Sequence, residues 1–394
     1  MSDLSKQSFI FVTCAGGVEP ILERELRALG YKPEAVRPLG VALRGTMDDC
    51  LHLNLHLRTA HRVLYELRRF KAENPDELYA ELVTLPWEEL IAEDGYLSVV
   101  SSVDNPTIRD ARFANLRVKD AVVDRIGQRC SRRPDSGPDR NGVVLSLHWQ
   151  GRTASISLDT TGDPLSNRGY RTIPHTAPMR ESIAAASLFA ADYNGKGHLV
   201  NPMCGSGTLA IEAALLATGT APGLLRKHFA FMHLLPFDPD RWAALRAQAR
   251  EQVRNGIGGS ISATDHDPAA MEAARINAMQ AGMSQYIAFE TCDFRETEVP
   301  YPNPRVVNLF IANPEYGKRL SNEQALEPVY TALGDFMKQH CRGYTGAVFT
   351  GNLRLAKKIG LRTRARVPLM SGPLDCRLLL FDLYAGTRKT KDEA

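Results

Sequence analysis

The run Asn201-Pro202-Met203-Cys204-Gly205-Ser206-Gly207-Thr208 passes directly into Leu209-Ala210-Ile211-Glu212-Ala213-Ala214-Leu215. The residues before it predict a short strand at 198–201, and those after it a helix over 208–217. Between the two, a pair of glycines allows a tight turn and close backbone approach to a ligand, while the helix start presents free N–H groups. Gly205, Gly207 and Ala210 also satisfy a G-x-G-x-x-A dinucleotide pattern, which wants an acidic residue about twenty positions on. The next acid at a strand end is Asp265, 58 residues beyond Gly207. A nicotinamide enzyme is therefore disfavoured.

Outward from this loop, helical runs alternate with short apolar strands. Helices are predicted at 182–193 and 268–281, and strands at 260–265, 287–292 and 306–312. This alternation predicts an α/β fold with a doubly wound, mostly parallel, Rossmann-like sheet. Ligands bind such sheets at the carboxyl ends of strands, so the loops there should carry the function.

Asp265, with His266 beside it, ends one strand, and its carboxylate can accept hydrogen bonds from both hydroxyls of a ribose. Asp267 fits better as the cap of the helix starting at Pro268. Asp293-Phe294, at the next strand end, offers a carboxylate for an adenine amine and a ring for its face. Together with Cys204, these loops outline one adenosine-shaped pocket. The fourth loop reads Asn313-Pro314-Glu315-Tyr316-Gly317. A base amine is a poor nucleophile because its lone pair is delocalised into the ring. The Asn313 amide oxygen and the Pro314 carbonyl can each accept one amine hydrogen and aim that lone pair, and Tyr316 can stack on a base drawn out of its helix. Positioning and electrostatics suffice for such chemistry, with no metal.

Before Pro174 the texture is α+β. Strand signals at 8–14, 36–44 and 62–70 and helix signals at 18–30 and 46–57 give a βαββαβ-like order. A second unit follows, with a helix at 75–90, a strand at 96–103, a basic helix at 115–130 and a hairpin of 143–149 with 153–158. The expected domains are 1–72, 73–164 and 165–394.

The chain has 394 residues, 44% apolar and 24% charged, with a formal net charge of +3. Disorder and fibrous repeats are excluded at this composition. The longest apolar stretch, 183–191, is about half of what a membrane-spanning helix needs. Residues 1–11 lack the basic start and apolar run of a signal peptide, so a cytoplasmic protein is the expectation. Seven cysteines stand far apart with no C-x-x-C pair, which argues against a disulfide framework and a structural zinc. Charge is unevenly spread: residues 109–140 hold nine Lys/Arg against five Asp/Glu, and residues 341–390 ten against two. Such tracts suit phosphate contacts.

The motif Asn201 to Thr208 with its helix resembles the cofactor loop of class I S-adenosylmethionine-dependent methyltransferases. More narrowly, the chain resembles the bacterial 23S rRNA guanine 2-amino methyltransferase family, which carries a THUMP domain. The segments that carry this likeness are 112–121, 165–171, 177–181 and 372–377. The resemblance implies a ferredoxin-like unit, a THUMP domain gripping structured RNA, and a Rossmann-like methyltransferase. It implies that Asn201 and Cys204, Gly205, Ser206, Gly207 and Thr208 line the methionine end of the cofactor, with Asp265 at its ribose and Asp293-Phe294 at its adenine. It places Asn313, Pro314 and Tyr316 at the target amine, and Arg112, Arg117, Lys119, Arg168, Tyr170 and Arg171 at the RNA.

Two positions depart from the family pattern. Glu315 replaces the second proline of N-P-P-Y-G and brings a negative charge beside the reaction centre. Asn201 replaces an aspartate, which predicts weaker cofactor binding. Two rival readings follow: a degenerate methyltransferase that only grips RNA, and an adenine amino methyltransferase.

Overall fold

The computed structural model describes residues 4–173, 178–316 and 320–384. Ala177 and Gly317, which carry part of the resemblance, and the basic residues beyond Tyr384 lie outside the described residues. The chain forms two compact units: Met1–Cys14, Leu22–Arg168 and Ala221–Glu251 make the first, and the remainder the second.

In chain order the first part of the chain contains β1 (Ser8–Cys14), α1 (Glu19–Ala28), β2 (Ala35–Arg37), β3 (Gly40–Gly45), α2 (Met47–His56), β4 (Ala60–Lys71), α3 (Pro75–Leu82), β5 (Tyr96–Asp104), α4 (Ala111–Arg129), β6 (Asp135–Ser136), β7 (Val143–Gln150) and β8 (Thr153–Asp159), all within the first unit except the first three residues of α1. The two α+β segments share a single eight-stranded sheet, ordered β2-β3-β1-β4-β8-β7-β5-β6. The junction is the antiparallel pair β4/β8, running from Leu64 opposite Asp159 to Lys71 opposite Thr153. This pairing satisfies an edge that either segment alone would leave open.

Local signals explain most element ends. Thr46 caps α2 in a reciprocal box with Asp49, and Asn74 caps α3 by accepting from the amides of Asp76 and Glu77. The helix expected at 75–90 stops at Leu82, and only a single turn follows at Trp87–Glu89. Pro86 is the cause: it has no N–H and disfavours helical geometry at Leu85. Helix α4 starts earlier than expected because Asp110 caps it, and it buries Ala114, Val118, Ala121, Val122 and Ile126 at helical spacing.

The second unit holds α5 (Glu181–Ala190), β9 (Leu199–Pro202) and α6 (Thr208–Ala217). After the insertion that carries α7 (Pro239–Glu251) come β10 (Ile261–Asp265), α8 (Pro268–Gln280), β11 (Ile287–Thr291), β12 (Leu309–Ala312), α9 (Leu320–His340), β13 (Thr345–Thr350), α10 (Leu353–Lys358), β14 (Ala365–Ser371) and β15 (Leu374–Asp382). The insertion packs within the first unit. There the Arg226 guanidinium donates to the carbonyls of Pro164 and Asn167 at 2.7 and 2.8 Å and lies over the Phe229 ring.

The sheet of the second unit runs β11-β10-β9-β12-β13-β15-β14. Its first five strands are parallel, and β15 is antiparallel to both β13 and β14. The mostly parallel, doubly wound sheet expected from the sequence is therefore present. Strands β9 and β12 are buried throughout, as strands covered on both faces must be. The chain steps outward from β9 to β10 and β11, then returns to the opposite side of β9 at β12. Such a reversal opens a crevice at the carboxyl ends of the two central strands. Among the described residues, no helix is long and apolar enough to cross a membrane.

Candidate active site

The loop after β9 has an unusual backbone. Met203, Gly205 and Gly207 all adopt positive φ, at 51°, 54° and 82°. For Met203 this costs about 1 kcal/mol, offset by closure of the turn. The Cys204 amide donates to the Thr264 carbonyl at 3.0 Å, and the Gly207 amide to the Cys204 carbonyl at 2.9 Å. Gly207 caps α6 without any side-chain acceptor. The first amides of that helix are thus left for solvent or a ligand, at the end where the helix dipole favours an anion.

This loop forms one wall of a cavity of about 790 Å³, which Cys204, Gly205, Ser206, Thr208, Asp265, His266, Asp293, Phe294 and Asn313 all line. Nine of the residues expected at the site thus meet around one space. The Asp265 carboxylate accepts from the Gly205 amide at 2.9 Å and from the Asp267 amide at 3.0 Å, which fixes its rotamer and leaves lone pairs for a ligand. Asp267 caps α8 by accepting from the Ala269 amide. Asp293 is gripped by Arg295, whose Nε and Nη2 each donate at 2.8 Å. That grip, stronger than the partial burial opposing it, holds the Asp293 carboxyl down at about 2. Burial pushes the Cys204 thiol well above its usual range, so it stays a neutral wall group.

Asn313 directly follows the end of β12 and lines the same cavity. Its Oδ1 is buried and has no hydrogen-bond partner among the described residues. An acceptor in that condition costs about 1–3 kcal/mol, and here it lines the cavity. The backbone beyond it is held firmly. The Tyr330 hydroxyl donates to the Glu315 carbonyl at 3.2 Å and lies 3.0 Å from Thr350 Oγ1. Asn352 Nδ2 donates to the Tyr316 carbonyl at 3.4 Å.

Several expected residues are placed differently. Asn201 is fully buried and absent from the cavity wall. Its Nδ2 donates to the Ile311 carbonyl at 2.9 Å, so it ties two strands together where a cofactor contact was expected. Gly207 and Pro314 are also off the wall. A Cβ on Gly207 would come within 3.0 Å of the Ala274 Cβ, so its role is helix packing. The Tyr316 ring lies against Gly351, off the wall. Its hydroxyl interacts with Cys376 and is pushed up to about 12, mainly by burial.

Of the residues expected at the RNA, Arg168 and Tyr170 are 1% and 2% exposed and cannot meet a polyanion. Arg168 donates to the carbonyls of Leu165 and Arg58, and the Tyr170 hydroxyl to Glu212 at 3.2 Å. Arg171 is held by the Met179 carbonyl, the Thr208 hydroxyl and Glu181. Arg112, Arg117 and Lys119 lie on α4. Arg112 pairs with Asp110 at 2.6 Å, Arg117 with Asp76 at 2.8 Å and Lys119 with Asp120 at 3.2 Å.

Met179, within the 177–181 stretch that carries the resemblance, also lines the cavity, whereas sequence reading missed Arg295 and the far wall formed by Leu326, Val329 and Ala332 of α9. Their three-residue spacing along α9 was the available signal.

Comparison with known proteins gives this geometry its family. Residues 10–64 match the RlmL ferredoxin-like domain, residues 72–159 the THUMP domain, and residues 168–379 the RMKL-like methyltransferase domain. The ribosomal RNA large subunit methyltransferase K/L of Syntrophotalea carbinolica is 40% identical over 379 residues, covering 95% of this chain and 53% of that protein. This chain thus spans about half the length of that relative. The Synechocystis sp. protein slr0064 is 36% identical over 376 residues, covering 95% of this chain and 96% of that protein. The crystal structure of SMU.472 complexed with SAH superposes with a TM-score of 0.86 at 27% identity, covering 97% of this chain and 100% of that one. With a strand-end cavity on a doubly wound sheet and matching domains along its length, the chain belongs to the RMKL-like methyltransferase family, with RlmL-type ferredoxin-like and THUMP domains ahead of the catalytic one.

Proposed function

We propose that this chain transfers a methyl group from S-adenosylmethionine to the 2-amino group of a guanine in large-subunit ribosomal RNA. The observation that carries this reading is the buried Oδ1 of Asn313, without a partner among the described residues, on the wall shared with Gly205 and Asp265. An orphaned acceptor facing a cavity is matched by a ligand donor, and a base amine is such a donor.

The residues present suit the cofactor. The glycine turn and uncapped start of α6 suit a carboxylate, Asp265 suits the ribose hydroxyls, and Asp293 with Phe294 suits an adenine. When bound, S-adenosylmethionine supplies a sulfonium methyl whose carbon–sulfur bond breaks with its electrons kept by sulfur. Asn313 Oδ1 accepts one amine hydrogen and aims the nitrogen lone pair that forms the new carbon–nitrogen bond. The nitrogen then releases one proton to solvent. This acceptor bond strengthens as the amine gains positive character, so its gain is largest in the transition state.

The THUMP domain is proposed to hold the RNA, through residues of α4 that include Arg112, Arg117 and Lys119. Nucleoside mass spectrometry on ribosomal RNA from cells with and without the gene tests the reading. N2-methylguanosine should disappear without the gene and return with the wild type. The variant Asn313→Ala should restore none of it while binding the cofactor normally, and full restoration by that variant would overturn the assigned role.

A further inference from the structure

We propose that the Glu315 carboxylate makes the site selective for guanine, by accepting the ring N1–H that lies beside the 2-amino group. The inference rests on the base-amine reading above and goes beyond it by naming the group that tells one base from another.

Glu315 lines the same cavity as Asn313 and is exposed within it. Among the described residues, no hydrogen bond or ion pair engages its carboxylate. Its backbone is anything but free. Pro314 before it has a fixed φ, and its own carbonyl is clamped by the Tyr330 hydroxyl at 3.2 Å. Tyr330 is fully buried and also hydrogen-bonded to Thr350. The next carbonyl, that of Tyr316, is held by Asn352. A charged side chain thus projects from a rigid backbone two residues beyond the amide that would hold the amine.

Base chemistry decides what such a wall accepts. In guanine the exocyclic amine is flanked by N1–H, a donor. In adenine the neighbour is N1, and in cytosine N3, both bare acceptors. Asn313 Oδ1 and Glu315 together present acceptors only, so guanine finds two donors matched. Adenine or cytosine would set a lone pair against the carboxylate. Discrimination of this kind combines a bond to the right ligand with repulsion of the wrong one. Proline, the family's usual residue here, offers no side-chain acceptor, so the device belongs to this sequence.

The test uses 2-aminopurine, which keeps the reacting amine but carries a bare N1. The target guanosine is first mapped on large-subunit rRNA from a strain lacking the gene. A fragment spanning it is then made with guanosine or 2-aminopurine at that position. The wild type should prefer guanosine in kcat/KM by about 100-fold. Glu315→Gln has an amide that can either accept or donate, and it should cut this preference to below about tenfold with cofactor affinity unchanged. An equal preference in wild type and variant, or none in the wild type, would overturn the inference while leaving guanine methylation standing. Absence of any methylated guanosine with the wild type would instead overturn the underlying function.

Discussion

Asn201 Nδ2 donates to the carbonyl oxygen of Ile311 at 2.9 Å, one residue past the point where the ladder between β9 and β12 ends, at Val200 opposite Phe310. The side chain continues the strand pairing just where the backbones part to open the crevice. Asparagine can do this at neutral pH and aspartate cannot, because a carboxylate has no hydrogen to give a carbonyl. Asn201→Asp should therefore destabilise the protein by about 3 kcal/mol. Thermal unfolding should register the loss as a Tm lowered by roughly 5–10 °C. An unchanged Tm with altered cofactor affinity would return Asn201 to the ligand-facing role expected from the sequence.

Gly205 and Gly207 should fail in different ways. A Cβ on Gly205 meets nothing within 4 Å, whereas one on Gly207 comes within 3.0 Å of Ala274 Cβ and 3.3 Å of its Cα. Both residues have positive φ, so alanine costs each about 1 kcal/mol of strain. Gly207→Ala adds a clash between α6 and α8 and should lower Tm further. Gly205→Ala should spare the fold and weaken cofactor binding at least tenfold by calorimetry, since its methyl enters the cavity. Equal effects on Tm would contradict the assignment.

Tyr330→Phe keeps the ring in its core and removes only the hydroxyl that holds the Glu315 carbonyl. Catalytic turnover should fall about tenfold, equivalent to one hydrogen bond of about 1.4 kcal/mol. Cofactor affinity should stay within twofold, because the cofactor cradle lies on other loops. A fall in affinity with turnover intact would show that the hydroxyl does not act through the loop.

Asp293 gives a pH signature. Hydrogen bonds from Arg295 hold its carboxyl at about 2, below the unfolded value near 3.9. A depressed carboxylate adds stability above its unfolded value and loses it as pH falls through the folded one, so the window lies between about 4 and 2. With the side chain 37% exposed, that stability is under about 1 kcal/mol. Because the carboxyl stays ionised above pH 4, binding of S-adenosylhomocysteine by the wild type should not vary there through titration of Asp293. Arg295→Ala should raise the carboxyl toward its usual range, so that affinity begins to fall nearer pH 4. A pH profile identical in both proteins would remove Asp293 from the binding site.

The parts of the site that were legible in sequence are those set by a few consecutive residues. Helix α6 begins at Thr208 as expected, because Gly205 and Gly207 permit the turn and Thr208 opens an alanine-rich run. Asp267 was separable from Asp265 because capping is local. The position of Asn313 was readable because the apolar strand before it ends at Ala312, and the residue lines the cavity there. Arg168 and Tyr170 misled for the opposite reason. A basic and an aromatic residue near a domain junction look alike whether they face a polyanion or fill the interior, and only packing showed that both are buried.

By itself, then, the sequence determined the alternation that makes a doubly wound sheet, the glycine turn at its centre and the acids at its strand ends, since backbone preference and periodicity act over short distances. Tertiary structure decided that β4 and β8 fuse two segments into one sheet, that Asn201 bridges strands and lies off the cavity wall, and that Tyr330 reaches back to clamp the loop at Glu315. Those outcomes depend on which distant groups satisfy a buried donor or an open edge, and that competition is settled only when the whole chain has packed.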